Sequence, residues 1–122
     1  MSDPATLLIA DDDPGLRQSL ERTLTREGYR VILASDGNAA LERLQAGGVD
    51  LVLTDLKMPG LSGIELLRAV KAIASEVDVI LLTAFGTVEE AVKAMKEGAY
   101  DFLTKPFQRA QLLRLIRQAL ER

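Results

Sequence analysis

Five short apolar runs recur along the chain, and each is followed by a longer stretch in which apolar residues have helical spacing. The runs are rich in leucine, valine and isoleucine, which is typical of strands buried on both faces of a sheet. They are Leu7–Ala10, Val31–Ala34, Leu51–Thr54, Val79–Leu82 and Tyr100–Leu103. This alternation predicts an α/β fold with a parallel sheet, right-handed crossovers and helices on both faces.

The helices carry start and stop signals. Asp13 is the predicted N-cap of the first helix, with Pro14 in its first turn and Gly28 at its end. The second helix is expected to open near Asp36 and end at Gly47-Gly48, the third to begin near Ser62, and the fourth to run from about Thr87 to Gly98. The predicted inward-facing residues are Leu16, Leu20 and Leu24; Ala40, Leu41 and Leu44; Ile64, Leu67, Val70 and Ile73; Val88, Ala91, Val92 and Met95; and Leu112, Leu113, Ile116 and Leu120.

We predict a doubly wound five-stranded sheet, (βα)5, with strand order 2-1-3-4-5. This order makes strands 1 and 3 neighbours at the point where the winding direction changes, where such folds bind ligands. Polar residues follow four of the five runs: Asp11 and Asp12, Asp55, Thr83, and Lys105. Because the carboxyl ends of parallel strands lie along one edge, we expect these side chains to share a pocket.

Composition limits the chemistry and the partners. The 122 residues, 48% of them hydrophobic, suit one domain spanning 1–122, and neither Cys nor His is present. Any metal should therefore be a hard cation bound by oxygen. The net charge of -3 and the scattering of the 15 basic residues disfavour direct nucleic-acid binding. No apolar run is long enough to span a membrane, and Met1-Ser2-Asp3-Pro4 does not resemble a signal peptide, so we expect a cytoplasmic protein.

Each polar residue has a simpler explanation when taken alone. Asp13 caps a helix, Asp55 precedes a loop, Thr83 can be an ordinary strand residue, and Lys105 can be a solvated lysine. Together they favour phosphoryl chemistry. Adjacent carboxylates repel unless a cation compensates, which points to Mg²⁺, and a carboxylate can attack phosphorus while an ammonium and a hydroxyl bind its oxygens.

Three functions fit this chemistry: a regulatory module switched by phosphorylation, a metal-dependent phosphatase or phosphotransferase, and a docking domain that is not phosphorylated. The chain has no second carboxylate set to act as a general acid and no recognisable substrate loop, which disfavours the enzyme. The phosphate-binding motifs GxxxxGK[ST] and GxGxxG are also missing.

Four segments carry a resemblance to a known family. They are Ala10-Asp11-Asp12-Asp13-Pro14, Leu53-Thr54-Asp55-Leu56-Lys57-Met58-Pro59-Gly60, Leu82-Thr83-Ala84 and Phe102-Leu103-Thr104-Lys105-Pro106-Phe107. In this order and spacing the chain resembles, over nearly all its length, the receiver domain of two-component response regulators, with its flavodoxin/CheY-like fold. Two further segments are most similar to receivers of NtrC-type sigma-54 activators: Thr83-Ala84-Phe85-Gly86 and Gly98-Ala99-Tyr100-Asp101-Phe102. Receivers of hybrid kinases can have similar segments.

The resemblance implies specific roles. Asp55 would accept a phosphoryl group from the phosphohistidine of a sensor histidine kinase or from a small phosphodonor. Asp12 would bind Mg²⁺ directly and Asp11 through water, with Asp55 and the backbone carbonyl of Lys57 completing the protein ligands. Lys105 would bind the transferring phosphoryl group. The chain would not be a conventional enzyme, although it would catalyse its own phosphorylation and dephosphorylation.

The resemblance also implies a switch. Thr83 would move toward the phosphoryl oxygens, and the aromatic ring of Phe102 would fill the gap. In the family the switch position is often tyrosine, and the phenyl ring of Phe102 cannot form the hydrogen bond of a tyrosine hydroxyl, so switching is expected by packing alone. Tyr100 is expected on the same strand face but does not match the switch position. Lys57 and Phe85 occupy positions that tune dephosphorylation, and the bulk of Phe85 predicts a long-lived phosphoryl state. A cis Lys105-Pro106 bond is expected.

Output would pass through the face formed by the fourth helix, the fifth strand and the fifth helix, through a change in homodimerisation. The missing output would be an AAA+ ATPase with a DNA-binding domain, which makes the chain a fragment. The alternative is a stand-alone or hybrid-kinase receiver in a phosphorelay.

Overall fold

Five strands alternate with five helices in the computed structural model, which describes residues 3–84 and 88–121. The strands are β1 (Thr6–Ala10), β2 (Arg30–Ala34), β3 (Leu51–Asp55), β4 (Asp78–Thr83) and β5 (Asp101–Thr104). The helices are α1 (Pro14–Arg26), α2 (Gly37–Gln45), α3 (Gly63–Ile73), α4 (Val88–Lys96) and α5 (Arg109–Leu120). The predicted strands and helices are confirmed, with most strands one residue longer than expected.

The sheet is parallel throughout and has the order β2-β1-β3-β4-β5, which confirms the predicted topology. Its register aligns the carboxyl ends of the strands: Ala10 pairs with Thr54, Asp55 with Leu82, and Thr83 with Thr104. The residues that end or follow β1, β3, β4 and β5 therefore lie along one edge.

The sheet divides the core into two layers, since alternate strand residues point to opposite faces. One layer includes Leu8, Val52 and Leu81 together with buried residues of α2, α3 and α4. The other includes Ile9 and Leu53 together with buried residues of α1 and α5. Every residue of β1 and β3 is buried, which explains why their runs carry no polar alternation.

The predicted N-cap of α1 is confirmed, and α2 and α3 begin beside Asp36 and Ser62 as expected. Asp13 Oδ1 accepts hydrogen bonds from the backbone N–H groups of Gly15 and Leu16, and Asp36 accepts one from Ala39. Ser62 and Glu65 form a reciprocal capping box at the start of α3. These caps fix the loops that connect the carboxyl edge of the sheet to α1 and α3.

The predicted inward faces of α3 and α4 are partly wrong. Ile73 is 50% exposed, and on α4 Val88 and Val92 are 42% and 47% exposed, while Ala91 and Ala94 are fully buried. Small side chains bring α4 close to the sheet, so the valines lie toward solvent. The predicted helix start at Thr87 lies outside the described residues.

Tyr100 does not share the packing environment of Phe102, contrary to expectation. Phe102 packs against the layer that contains α4, whereas Tyr100 packs against the layer that contains α5. Tyr100 precedes β5, so the alternation of the strand does not fix the side on which its ring lies. None of the described helices has the length and apolarity needed to cross a bilayer.

Candidate functional site

The carboxyl edge of the sheet brings together charged residues that are distant in sequence. Asp11 and Asp12 follow β1, Asp55 ends β3, and Lys105 follows β5. One carboxylate oxygen from each of the three aspartates lies within 4.8 Å of the others. Four of the five side chains expected at this edge, those of Asp11, Asp12, Asp55 and Lys105, therefore form one charged cluster.

Lys105 connects the two buried carboxylates of this site. Its Nζ lies 2.8 Å from Asp11 Oδ2 and 3.2 Å from Asp55 Oδ2. Asp11 is fully buried and Asp55 is 8% exposed. The ammonium therefore offsets the negative charge of two carboxylates that are shielded from water. It lies next to Asp55 Oδ2, so it would also contact a group bonded to that oxygen.

The β1–α1 loop holds Asp11 and Asp12 differently. Asp11 Oδ1 accepts a hydrogen bond from the Asp13 N–H, at 2.9 Å, so both of its carboxylate oxygens have partners. Asp12 is exposed. Its carboxylate is therefore the more accessible of the two to a cation arriving from solvent.

Thr83 ends β4 at the same edge of the sheet, and Phe102 lies on β5. Thr83 is fully buried at the end of β4, where its Oγ1 donates a long hydrogen bond of 3.5 Å to the Leu103 carbonyl. Phe102 is half-buried against the layer that contains α4. In this arrangement the Thr83 hydroxyl donates to β5.

Lys57 contacts the site through its backbone. Its N–H donates to Asp55 Oδ1 at 3.3 Å, and its ammonium extends to Glu90 on α4 at 3.4 Å, an exposed ion pair. Phe85, predicted to tune dephosphorylation, lies outside the described residues. The bond between Lys105 and Pro106 is cis, as expected.

The ionisation of Asp55 and Lys105 reflects this crowding. Burial raises the pKa of the Asp55 carboxyl above its ordinary value, the charge of Lys105 opposes that rise, and the charge of Asp11 adds to it. Burial disfavours the charged form of Lys105, but the hydrogen bond to Asp11 and the charges of Asp11 and Asp55 outweigh it, so the pKa of Lys105 is raised. A raised carboxyl pKa means that ionised Asp55 is less favourable in the folded chain than in the unfolded chain.

This shift predicts how stability depends on pH without divalent cations. The contribution of the Asp55 carboxyl to the free energy of unfolding is fully present below the ordinary aspartate pKa. It is lost as the pH rises through the raised pKa that Asp55 has in the folded chain. Asp55→Asn removes that titration. Urea unfolding in chelator, from about pH 4 to about pH 7, should therefore show the parent losing stability relative to the variant as the pH rises. A difference between them that is constant or grows in the parent's favour would contradict the shift.

Two residues at the site carried no clear signal in the sequence. Arg17 Nη1 donates to the Asp11 carbonyl at 2.6 Å, although Arg17 resembles an ordinary surface residue of α1. Gly63 begins α3 so close to β3 that a Cβ there would overlap the Asp55 carbonyl oxygen. The only hint for Gly63 is a glycine directly after a helix cap, where no positive φ requires one.

The donor set fits a hard divalent cation. Three carboxylates supply oxygen ligands, which Mg²⁺ prefers, and the exposure of Asp12 leaves access for water and a phosphate group. With a single ammonium, the cluster of Asp11, Asp12, Asp55 and Lys105 keeps an excess of negative charge. A cation would offset this excess.

Comparison with known proteins agrees with this geometry. Residues 7–117 match the model of the response regulator receiver domain. The chain is 42% identical over 118 residues to the transcriptional regulatory protein GlrR of Escherichia coli, covering 97% of the chain and 27% of GlrR. It is 43% identical over 115 residues to the C4-dicarboxylate transport transcriptional regulatory protein DctD of Pseudomonas aeruginosa, covering 94% of the chain and 25% of DctD.

Among solved structures, a response regulator receiver domain protein from Clostridium thermocellum superposes with a TM-score of 0.92 at 36% identity, covering 96% of this chain and 94% of that one. The chain spans between 25% and 58% of the length of curated relatives such as DctD, GlrR and two other response regulators. The family match, the parallel sheet of order 2-1-3-4-5 and these relatives lead to one conclusion. The chain belongs to the response regulator receiver domain family, and NtrC-type transcriptional regulators are among its relatives.

Proposed function

We propose that Asp55 is the phosphoacceptor of this receiver. A carboxylate oxygen of Asp55 attacks the phosphorus of a phosphohistidine on a sensor histidine kinase, or of a small phosphodonor, and the bond to the leaving group breaks with its electron pair. The observation that carries the proposal is the contact of one ammonium, Lys105, with Asp55 and Asp11, residues that are 50 and 94 positions away in sequence. In this proposal Lys105 binds a phosphoryl oxygen during transfer, which its contact with Asp55 supports.

Mg²⁺ is the proposed cofactor. Asp12 is the direct carboxylate ligand with Asp55 and the backbone carbonyl of Lys57, and Asp11 contributes through water. Support for the direct role of Asp12 comes from its exposure, against the full burial of Asp11. When bound, the cation offsets charge on the phosphoryl oxygens.

Thr83 and Phe102 are the proposed switch. The 3.5 Å hydrogen bond from Thr83 to the Leu103 carbonyl is weak, and the hydroxyl can exchange it for a charged phosphoryl oxygen. Movement of Thr83 leaves space into which Phe102 packs, and an added phosphoryl charge thereby changes the surface near α4 and β5. Lys57 and Phe85 tune the loss of the phosphoryl group, which the domain catalyses itself.

Output is proposed to pass through α4, β5 and α5, by homodimerisation. Val88 and Val92 support this face, since both are exposed apolar residues of α4. We propose that the output consists of an AAA+ ATPase and a DNA-binding domain, and that the protein is cytoplasmic. The receiver domain itself, residues 1–122, is not proposed to bind nucleic acid. Support comes from GlrR and DctD, transcriptional regulators about four times the length of the match. The alternative, a stand-alone or hybrid-kinase receiver, is tested by the residues that follow Arg122 in the gene.

The test of the acceptor is incubation with acetyl phosphate and Mg²⁺ followed by intact mass measurement. We expect one phosphoryl adduct on the parent and none on Asp55→Asn. Asp13→Asn is the matched control, because it removes a neighbouring charge while asparagine keeps the cap of α1, and it should retain the adduct. Multiple turnover of acetyl phosphate without an adduct would instead indicate a phosphatase, and neither product would indicate a docking domain.

A further inference from the structure

Arg17 binds the carbonyl groups on both sides of Asp12. Its side-chain Nη1 donates to the Asp11 carbonyl at 2.6 Å, and its backbone N–H donates to the Asp13 carbonyl at 3.0 Å. The first is a short hydrogen bond from a charged donor, the stronger class of such bonds. The second belongs to the first turn of α1. One half-buried residue therefore closes the loop that presents Asp12.

The other polar atoms of Asp11 are held by different elements. Its backbone N–H donates to the Ala34 carbonyl on β2 at 3.2 Å, and its carboxylate accepts from Asp13 and Lys105. The Asp11 carbonyl accepts its hydrogen bond from Arg17, a residue of α1. Without that bond the peptide between Asp11 and Asp12 loses the contact that fixes its orientation.

We infer that Arg17 is a positioning residue for the cation site: it fixes the Asp11–Asp12 peptide and thereby the direction in which the Asp12 carboxylate faces. The inference rests on the Mg²⁺ site proposed above. Groups that orient a metal ligand without touching the metal commonly change metal affinity by tenfold or more when removed. Arg17 would act in this way through the backbone.

Charge and position predict opposite effects, which makes the inference testable. Removing a nearby positive charge should strengthen the binding of a cation by an acidic site. Loss of the hydrogen bond to the Asp11 carbonyl should weaken it, because Asp12 then samples directions that do not face the site. The sign of the change in affinity separates the two roles.

The experiment is calorimetric titration of the parent and of Arg17→Met with MgCl₂. We expect Arg17→Met to bind Mg²⁺ on the order of tenfold more weakly. Arg22→Met is the matched control, since Arg22 is an exposed arginine of the same helix with no such carbonyl contact among the described residues; its affinity should equal that of the parent. Unfolding in chelator shows whether each variant is folded before titration.

Arg17→Lys keeps a positive charge and a donor and is used if Arg17→Met fails to fold. We expect it to bind Mg²⁺ more weakly than the parent, because one flexible ammonium does not reproduce the planar guanidinium. If folded Arg17 variants bind Mg²⁺ as tightly as the parent or more tightly, the inference about Arg17 is overturned, while the proposed Mg²⁺ site is not. Failure of the parent itself to bind Mg²⁺ overturns the proposed cofactor together with the inference.

Discussion

Replacing Lys105 with methionine is expected to destabilise the receiver in chelator and to slow its phosphorylation strongly. Methionine keeps much of the length of the side chain but leaves buried Asp11 and nearly buried Asp55 without their shared cation. Breaking a fully buried ion pair costs about 3–5 kcal/mol. The Lys105 side chain is 24% exposed, so we expect a smaller loss of about 2–3 kcal/mol in the free energy of unfolding. Urea denaturation measures it.

The rate of adduct formation from acetyl phosphate should fall on the order of 100-fold, the usual effect of removing one preorganised donor. Added Mg²⁺ should recover part of the lost stability, because the cation supplies charge that the ammonium no longer provides. Lys57→Met is the control for stability: the substitution keeps the backbone N–H that donates to Asp55 and removes an exposed ion pair with Glu90, so the change in stability should stay within about 0.5 kcal/mol. A Lys105→Met variant as stable as the parent in chelator would contradict the proposed pairing.

Gly63→Ala is the second change with a large expected effect. A methyl group at Gly63 would meet the Asp55 carbonyl oxygen and the Leu56 Cα, which are backbone atoms of β3 and the loop after it. The Gly63 N–H also donates to the Leu56 carbonyl at 2.9 Å, so α3 cannot move away without losing this bond. We expect a loss of about 3 kcal/mol or more in the free energy of unfolding, at the upper end for overpacking.

The same substitution should weaken Mg²⁺ binding, because relief of the overlap displaces the backbone of Asp55. Thermal unfolding with and without Mg²⁺ measures both effects. Gly15→Ala is the control, since Gly15 also lies in a first helical turn but its added methyl would meet only Asp13 Oδ1, at 3.4 Å. Alanine favours a helix over glycine by up to about 1 kcal/mol, so this variant should be as stable as the parent or more stable. A Gly63→Ala variant as stable as Gly15→Ala would contradict this prediction, because it would show that α3 can shift to accommodate the methyl group without loss of stability.

The sequence predicted the order of elements because each strand is a buried apolar run and the polar residues stand at its end. Asp11, Asp55 and Lys105 could be assigned to one edge because parallel strands align their carboxyl ends, whereas the strand order itself was chosen from known doubly wound folds. The N-cap Asp13 and the helix starts near Asp36 and Ser62 were also predicted, because helix initiation depends on a local side chain.

The remaining features depend on tertiary distance. On α4 the valines look like the inward face by size, but Ala91 and Ala94 pack against the sheet because the helix lies close to it. Arg17 acts through the Asp11 backbone carbonyl. Gly63 matters because the absence of a methyl group lets the start of α3 lie close to the Asp55 carbonyl oxygen. Neither property leaves a periodic pattern in a single sequence.

The division of the core by the sheet has an evolutionary consequence. Side chains of α1 and α5 are shielded from those of α2, α3 and α4 by a complete layer of backbone and strand residues. Substitutions that remodel one side for a new binding partner therefore leave the opposite side in place. The proposed output face takes α4 from one side and α5 from the other, so a lineage can alter its two borders separately while both halves retain the same central strands and the acidic centre at their ends.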